Sequence, residues 1–401
     1  MVNNLVFDPK SFANIQIKEI RKALGKEKVI IACSGGVDST TCAVLTHKAV
    51  EKNLICVFID TGFMRLKEPD EVVKTLSDLS LNLPIKLIRA EDRFLKAIEG
   101  YRDAEEKRKI FRNTFYSILS EAAREENCQF LVQGTILPDI IETTKGIKTQ
   151  HNVLEQMKIN TKEVYGFKVI EPLSTLYKYQ VREVAKYLGI PLETSERQPF
   201  PGPGLSVRVV GEITREKLDV EKIATEIVEE KFEEVRPKQY FAAIINDEKV
   251  TYLKTSEVER SLRTLVMGET KIRIQSLRDR ATGIKAGMRQ YGKVVLADVK
   301  NGDGKCVELP MKTFNEIQRK IIEVDDEVTR VLYRITDAKR NGRWIIAIRA
   351  VETHDFITAT ISNVPWKILK ETSRLIMDSC PTVSTVYFDV TPKPPSSIEF
   401  E

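Results

Sequence analysis

The sequence predicts an α/β protein: a parallel sheet with helices on both faces, followed by an α+β region that repeats one small unit. Three observations carry this. Short apolar runs alternate with amphipathic stretches through the first 135 residues. A glycine-rich turn, "SGGVDS", joins the first of those runs to its helix. A proline- and glycine-rich passage near residue 200 then ends the alternation.

The elements follow in order. Phe12, Ile15, Ile17, Ile20 and Leu24 lie near helical spacing, so a helix precedes the first strand. "KVIIAC" reads as a buried strand, "DSTTCAVLTHKAV" as a helix, "LICVFID" as a second strand and "DEVVKTLSDLSL" as a second helix. "IKLIRA" makes a third strand, "AEEKRKIFRNTFYSILSEAAREE" a long charged helix, and "QFLVQGT" a fourth strand. Alternation of this kind implies parallel strands with right-handed crossovers. Ligands then bind beyond the carboxyl ends of the strands, where Ser34–Ser39, Asp60–Arg65 and Gly134–Asp139 fall.

The stiff segment "RQPFPGPGLSVR" marks a boundary, giving one domain over 1–205 and a second region over 206–401. Within the second, "TFNEIQRKIIEVDDEVTRVLYRITDAK" and "ILKETSRLIMDSCPTVSTVYFDVTPK" each follow a strand-like run, "KVVLADV" or "WIIAIRAV". A duplicated unit is the preferred reading, about 240–340 and 341–401.

Bulk composition narrows the class. A chain of 401 residues, 42% hydrophobic and 30% charged, exceeds one core and reads as two or three globular domains. Its net charge of +5 suits a phosphate-bearing ligand without demanding nucleic acid, and the run "EEKRK" is mixed in sign like a solvated helix face. Cys33, Cys42, Cys56, Cys128, Cys306 and Cys380 form no CxxC pair, which points away from zinc and disulfides and toward a cytoplasmic protein. Neither a signal sequence nor an 18-residue apolar run is present, so export and a membrane span are not expected.

The chemistry centres on Ser34, Gly35, Gly36, Val37, Asp38 and Ser39. Two glycines allow close backbone approach, and the helix that follows offers its positive end to an anion, so the loop reads as a phosphate cradle. "GMRQYGK", residues 287–293, imitates a GxxxxGK loop, but Val294 stands where a hydroxyl is needed and no buried strand leads in.

The SGGVDS form resembles the pyrophosphate loop of the N-type ATP pyrophosphatases, which have an adenine nucleotide alpha hydrolase-like fold. With "FIDTGFMRLKE", "QGTILPDIIET", "KTQHNV", "EPLSTLYKYQVREVAKYLGIP", "RQPFPGPGLSVRVVGEIT", "IRAVETHDFITA" and "KPPSSIEFE", the chain is similar to the ATP pyrophosphatase (XMP aminase) portion of GMP synthetases. The resemblance implies ATP-dependent amination of XMP to GMP: purine O2 attacks the α phosphate of MgATP, pyrophosphate leaves, and ammonia displaces AMP. It implies that Ser34–Ser39 hold pyrophosphate, that Asp38 and Asp139 hold Mg²⁺, and that Lys178 neutralises the β and γ phosphates. Asp60, Gly62, Arg65, Gly134 and Thr135 would shape the adenosine site. Arg197, Pro199, Gly202, Gly204, Lys393, Ile398 and Glu399 would grip the nucleotide monophosphate.

The chain departs from the family pattern at Arg112, Gln150, Tyr179, Gln180, Gln198, Ser397 and Phe400, most of them on loops flanking the nucleotide. About 90 residues near 240–340 exceed a minimal subunit; as a second copy of a dimerisation domain they would make a pseudo-dimer, the alternative being a homodimer. No cysteine sits in a G-x-C-x-G elbow, and His47, His151 and His354 fall in pyrophosphatase or C-terminal segments, so ammonia is expected from a separate glutamine amidotransferase subunit or free ammonium. Two other readings stand beside this one. A tRNA-thiolating pyrophosphatase would need reactive cysteines, whereas Cys33 and Cys42 read as small buried residues. A non-catalytic nucleotide-binding scaffold would not need SGGVDS, Lys178 and Asp139 together.

Overall fold

The computed structural model describes residues 7–78, 83–144, 160–191, 200–266, 268–338, 340–353 and 357–401. The chain divides into two compact units, residues 1–97 with 109–197, and residues 98–108 with 198–401.

The first unit begins with helix α1 (Pro9–Leu24), capped by Asp8, whose carboxylate accepts from the N–H groups of Lys10 and Ser11. Its buried stripe is Ala13, Ile20 and Leu24; Ile15, counted with that stripe from the sequence, is 53% exposed because Ala13 takes the inward position. Strand β1 (Val29–Ala32) leads to α2 (Val37–Val50), then β2 (Leu54–Asp60), α3 (Glu68–Asp78), β3 (Ile85–Arg89) and α4 (Glu91–Ile98). Helix α5 (Ala104–Glu125) returns the chain to β4 (Phe130–Val132), followed by α6 (Leu137–Thr144), α7 (Thr161–Tyr165), β5 (Lys168–Ile170) and α8 (Lys178–Tyr187). The sheet order is β3-β2-β1-β4-β5, all parallel.

β1 is central, and Val29, Ile30 and Ile31 are fully buried, as a strand covered on both faces requires. Each such side chain contributes roughly 1.5–3 kcal/mol of burial free energy. One layer joins α1, α2 and α8 through Leu24, Leu45, Val181 and Val184. Another layer is aromatic, with Phe63, Phe94 and Phe111 centred 4.9–6.3 Å apart. Strand order reverses between β1 and β4, and a crevice beyond their carboxyl ends is the switch point where doubly wound sheets bind ligands.

The second unit carries α9 (Arg215–Phe232), β6 (Gln239–Asn246), β7 (Lys249–Val250), α10 (Thr255–Leu262), β8 (Lys271–Lys285), β9 (Met288–Lys300) and α11 (Met311–Val324). After these come β10 (Val328–Arg334), β11 (Trp344–Glu352), β12 (Thr360–Ile361), α12 (Trp366–Ser379) and β13 (Val383–Asp389). They build one mixed eight-stranded sheet. β9 and β10 are parallel partners linked through α11, and β11 and β13 are parallel partners linked through α12. β10 and β13 meet antiparallel, with Leu332 opposite Asp389 and Arg334 opposite Tyr387. Outside them lie antiparallel β8 against β9 and β6 against β11. Two β-α-β units, each flanked by an antiparallel strand, thus meet across the β10–β13 seam.

The run "EEKRK" is not all solvated. Lys107 is buried in the second unit, where its Nζ donates to the carbonyls of Val209 (3.0 Å) and Gly211 (2.6 Å) and pairs with Glu401. A buried ammonium needs these partners because desolvation would otherwise expel its charge.

Candidate active site

The cradle is built by the end of β1 and the start of α2. Cys33 N–H completes the sheet by donating to Val57 O at 2.8 Å, after which the chain turns through Ser34, Gly35 and Gly36. Gly35 has φ of +76°, and a Cβ there would lie 2.7 Å from Val72 Cγ2, so both backbone conformation and space call for glycine. Gly36 caps α2 with no side-chain hydrogen bond. The first N–H groups of a helix have no intrahelical acceptor, so a helix start without a side-chain cap is suited to an anion. Ser34 and Ser39 brace the loop: Ser34 N–H donates to Ser39 Oγ (3.1 Å), the two hydroxyls lie 3.0 Å apart, and Ser39 Oγ–H donates to Gly36 O at 3.1 Å.

The β4 loop closes on this cradle. A Cβ at Gly134 would lie 3.1 Å from both Asp38 C and Ser39 N, so the glycine lets the loop backbone lie close against the first turn of α2 where a side chain would press them apart. Thr135, fully buried, donates its hydroxyl to Glu171 at 2.6 Å, fixing that loop to the end of β5. Asp139, in the first turn of α6, accepts from Ile136 N–H at 3.1 Å.

Lys178 opens α8 and reaches across to Asp38, Nζ to Oδ2 at 2.6 Å, although 140 residues separate them. Burial pushes the Asp38 carboxyl above its ordinary range, Lys178 pulls it back, and the charge of nearby Asp139 pushes it up again. Its side chain nonetheless keeps 25% exposure on the side of Lys178. The second oxygen, Oδ1, is buried and has no hydrogen-bond partner among the described residues. An orphan carboxylate oxygen with a second carboxylate nearby fits Mg²⁺, which takes one or two carboxylates and completes its shell with waters and phosphate oxygens. Among the described residues no cluster of three or more His, Cys, Asp or Glu could hold a metal ion unaided.

At the end of β2, Asp60 accepts from Gly62 N–H (3.0 Å) and from Arg89 (3.5 Å), which shapes the turn. Arg65 donates its backbone N–H to Glu68 at 3.0 Å. The structure therefore brings Ser34–Ser39, Asp38, Asp60, Gly62, Arg65, Gly134, Thr135, Asp139 and Lys178 to the carboxyl ends of strands or helix starts of one unit. Cys33 and Cys42 are buried thiols, and burial raises that of Cys42 far above its usual range.

Arg197, Pro199, Gln150, His151, Gln198 and His354 lie outside the described residues. The other residues assigned to the nucleotide monophosphate lie in the second unit. Gly202 is exposed on a turn, and Gly204 opens a short 3₁₀ turn, Gly204–Val207. Ile398 packs against the core around Phe241 and Leu332. Glu399 takes both forks of Arg208 at 3.0 and 3.1 Å, while the Arg208 guanidinium lies 4.1 Å from the Phe241 ring centre. Lys393 exchanges backbone hydrogen bonds with Ala359 at 2.8 and 3.0 Å. Sequence reasoning missed Arg208, Arg330 and Arg349; the only available signal was a charge inside an otherwise apolar strand-like run.

Residues 9–196 match the PP-loop domain family, and residues 335–400 match the GMP synthase C terminal domain. Among curated proteins, the B subunit of the glutamine-hydrolyzing GMP synthase of Sulfurisphaera tokodaii is 41% identical over 395 residues, 98% of this chain and all of that one. The protein of the same name from Saccharolobus solfataricus is 41% identical over 99% of this chain, and that of Methanopyrus kandleri 38% over 99%, each covered completely. Among solved structures, an NMN synthetase from Francisella tularensis matches 50% of this chain and 79% of its own, at 18% identity and a TM-score of 0.39.

Proposed function

Since the chain belongs to the family of GMP synthase B subunits, ligases with a PP-loop ATP pyrophosphatase domain, we propose that it aminates XMP through an adenylylated nucleotide. In this reading XMP O2 attacks the α phosphate of ATP, the bond to the β phosphate breaks, and pyrophosphate departs. Ammonia then adds at C2 and AMP leaves, giving GMP.

The observation that carries this is the uncapped start of α2 beside the Asp38–Lys178 pair. The N–H groups of the cradle meet negative charge as it grows on the departing pyrophosphate, and they need no reorganisation to do so. Lys178 neutralises the β and γ phosphates, and its release from Asp38 on ATP binding frees that carboxylate. Asp38 Oδ1 and Asp139 would hold Mg²⁺, which supplies charge neutralisation to the phosphates. Asp60, Gly62, Arg65, Gly134 and Thr135 wall the adenosine side, whereas Lys393, Ile398, Glu399, Gly202 and Gly204, with Arg197 and Pro199, serve the nucleotide monophosphate.

Ammonia comes from a separate glutamine amidotransferase, a reading supported by the relatives' names, which specify both glutamine hydrolysis and one subunit of a divided enzyme. Six free, buried cysteines suit a cytoplasmic setting. The facing β-α-β units support a monomer that carries its own pseudo-dimer, with domains near 1–205 and 206–401; a sedimentation mass of two chains would overturn the monomer. Pyrophosphate release is measured with MgATP, XMP and ammonium. Release that depends on XMP, yields GMP and is lost in Asp38→Ala supports the reaction, and release without GMP refutes it.

A further inference from the structure

The two β-α-β units carry an ion pair at the same register with the charges exchanged. In the first, the β9–β10 pairing sets Arg334 beside Asp298, Nη1 3.2 Å from Oδ2. In the second, the β11–β13 pairing sets Asp389 beside Arg349, at 2.7 Å. On the second strand of each half the ion-pair residue, Arg334 or Asp389, is the last of its strand and stands two residues before a threonine, Thr336 or Thr391.

Each pair also receives a third group from the opposite unit, and here the symmetry breaks. Asp298 accepts from the Tyr387 hydroxyl at 3.1 Å, so that cluster stays neutral. Asp389 accepts from Arg330 at 2.6 Å, which leaves two arginines on one carboxylate, all three with fully buried side chains. Such an excess of buried charge must be met by other dipoles. The C-terminal tail meets it. Arg330 donates to Ser397 O (2.9 Å), Ser397 Oγ (3.0 Å) and Glu399 O, and lies 4.1 Å from the Phe400 ring centre. Arg349 donates to Thr391 O (3.0 Å), Ser396 Oγ (2.8 Å) and Ser397 O (3.0 Å). The tail is pinned further along β8, where Ile284 N–H donates to Pro395 O and Thr282 N–H to Phe400 O, both at 2.7 Å.

We propose that Arg330, Arg349 and Asp389 are positioning residues for the nucleotide monophosphate: a clasp, composed from both β-α-β halves of the second unit, that fixes the tail bearing Lys393 and makes one such site per chain. This rests on the reading above that the tail serves that nucleotide. The clasp does not touch substrate. It sets where Lys393 and the backbone after it stand, and the Asp298–Arg334 pair of the first β-α-β half turns instead to the Thr336 and Ala338 carbonyls.

The test is a split of Michaelis constants in the full-length chain, with XMP and ATP varied in turn. Asp389→Asn and Arg349→Met are expected to raise KM for XMP roughly tenfold or more, since displacing a positioning group by an ångström costs up to about a hundredfold. KM for ATP stays within about twofold in the same variants, the change expected of a site whose geometry is kept. Arg349→Lys restores part of the loss. Asp298→Asn, the mirror position, lowers the melting temperature but leaves KM for XMP alone. Where the buried variants do not fold, Ser396→Ala with Ser397→Ala removes only hydroxyl contacts and should raise KM for XMP about threefold, one modest hydrogen bond's worth. Equal effects on both substrates, an unchanged KM for XMP, or an equal rise in Asp298→Asn would overturn the clasp. Lys393→Ala separates the two readings: if it leaves KM for XMP unchanged, the tail assignment itself fails, and if it raises KM while the clasp variants do not, only the clasp fails.

Discussion

Gly134→Ala probes the cradle with a single methyl group. Its Cβ would stand 3.1 Å from Asp38 C, 3.1 Å from Ser39 N and 3.3 Å from Ser39 Cα, all backbone atoms of the first turn of α2. Non-bonded carbons settle near 3.5–4.0 Å, so the β4 loop and α2 must part by roughly 0.4 Å or more. Overpacking of this kind costs about 1–3 kcal/mol. Gly134 does not sit at positive φ, so no backbone strain is added to that figure. Displacing a catalytic group by an ångström costs about a hundredfold in rate, and half that displacement gives roughly tenfold, or about 1.4 kcal/mol in the barrier. The assay is steady-state pyrophosphate release with MgATP, XMP and ammonium, alongside a thermal melt. A tenfold fall in kcat/KM with a melting temperature within a few degrees of the parent is expected. An unchanged rate would refute the idea that α2 and the β4 loop form one rigid cradle, and a large loss of stability with an unchanged rate per folded molecule would do the same.

Other outcomes follow from particular side chains. Lys178→Gln leaves Asp38 with its burial and without its counter-charge, so the acid limb of the pH–rate profile shifts to higher pH while the maximum rate falls. Glu221 is fully buried with one hydrogen bond, from Thr225 at 3.0 Å, and burial pushes its carboxyl up to about 8. Its folded-state pKa lies above the unfolded value, so the folded state binds the extra proton and stability falls as pH rises from about 4.5 to about 8. Glu221→Gln should flatten that slope in urea melts, matching the parent at pH 4.5 and exceeding it by a few kcal/mol at pH 9; a parallel pair of curves would refute the buried neutral acid. Arg208→Lys keeps the charge but loses the two-pronged contact to Glu399 and the face of Phe241, and a loss of about 1–3 kcal/mol is expected in the same melts.

The parallel sheet and its phosphate loop were legible because their signals are local. A buried strand, two glycines and a helix start occupy about twenty consecutive residues, and each dictates the next through backbone sterics and capping. The strand β5 was less legible than the equally short β4, since "KVI" opens on a lysine and leaves two apolar residues where "FLV" gives three. α4 was hidden by its strongly charged start, "EDR".

The site was legible in kinds of residue but not in partners. Nothing near Asp38 in the sequence points to Lys178, which meets it only because α8 begins beyond the same edge of the sheet as α2. Arg330, Arg349 and Asp389 are a sharper case. In sequence each is one charge in an apolar run, the pattern of a strand with one polar face. Only strand pairing turns them into a single buried group, and only the unequal charge of that group against its mirror image shows that one of two like units has been given the tail to hold. Two like β-α-β halves form the frame, and the exchange of an acid for a base at one register position distinguishes them. A second pair of changes, Asp298→Arg with Arg334→Asp, would give both halves the same polarity. The tail should then stay with Arg349, because Arg330 has no counterpart on β13, where Thr385 lies at the equivalent place. A tail that became mobile by hydrogen exchange in that variant would show that the asymmetry of the ion pairs, rather than Arg330, decides which half holds it.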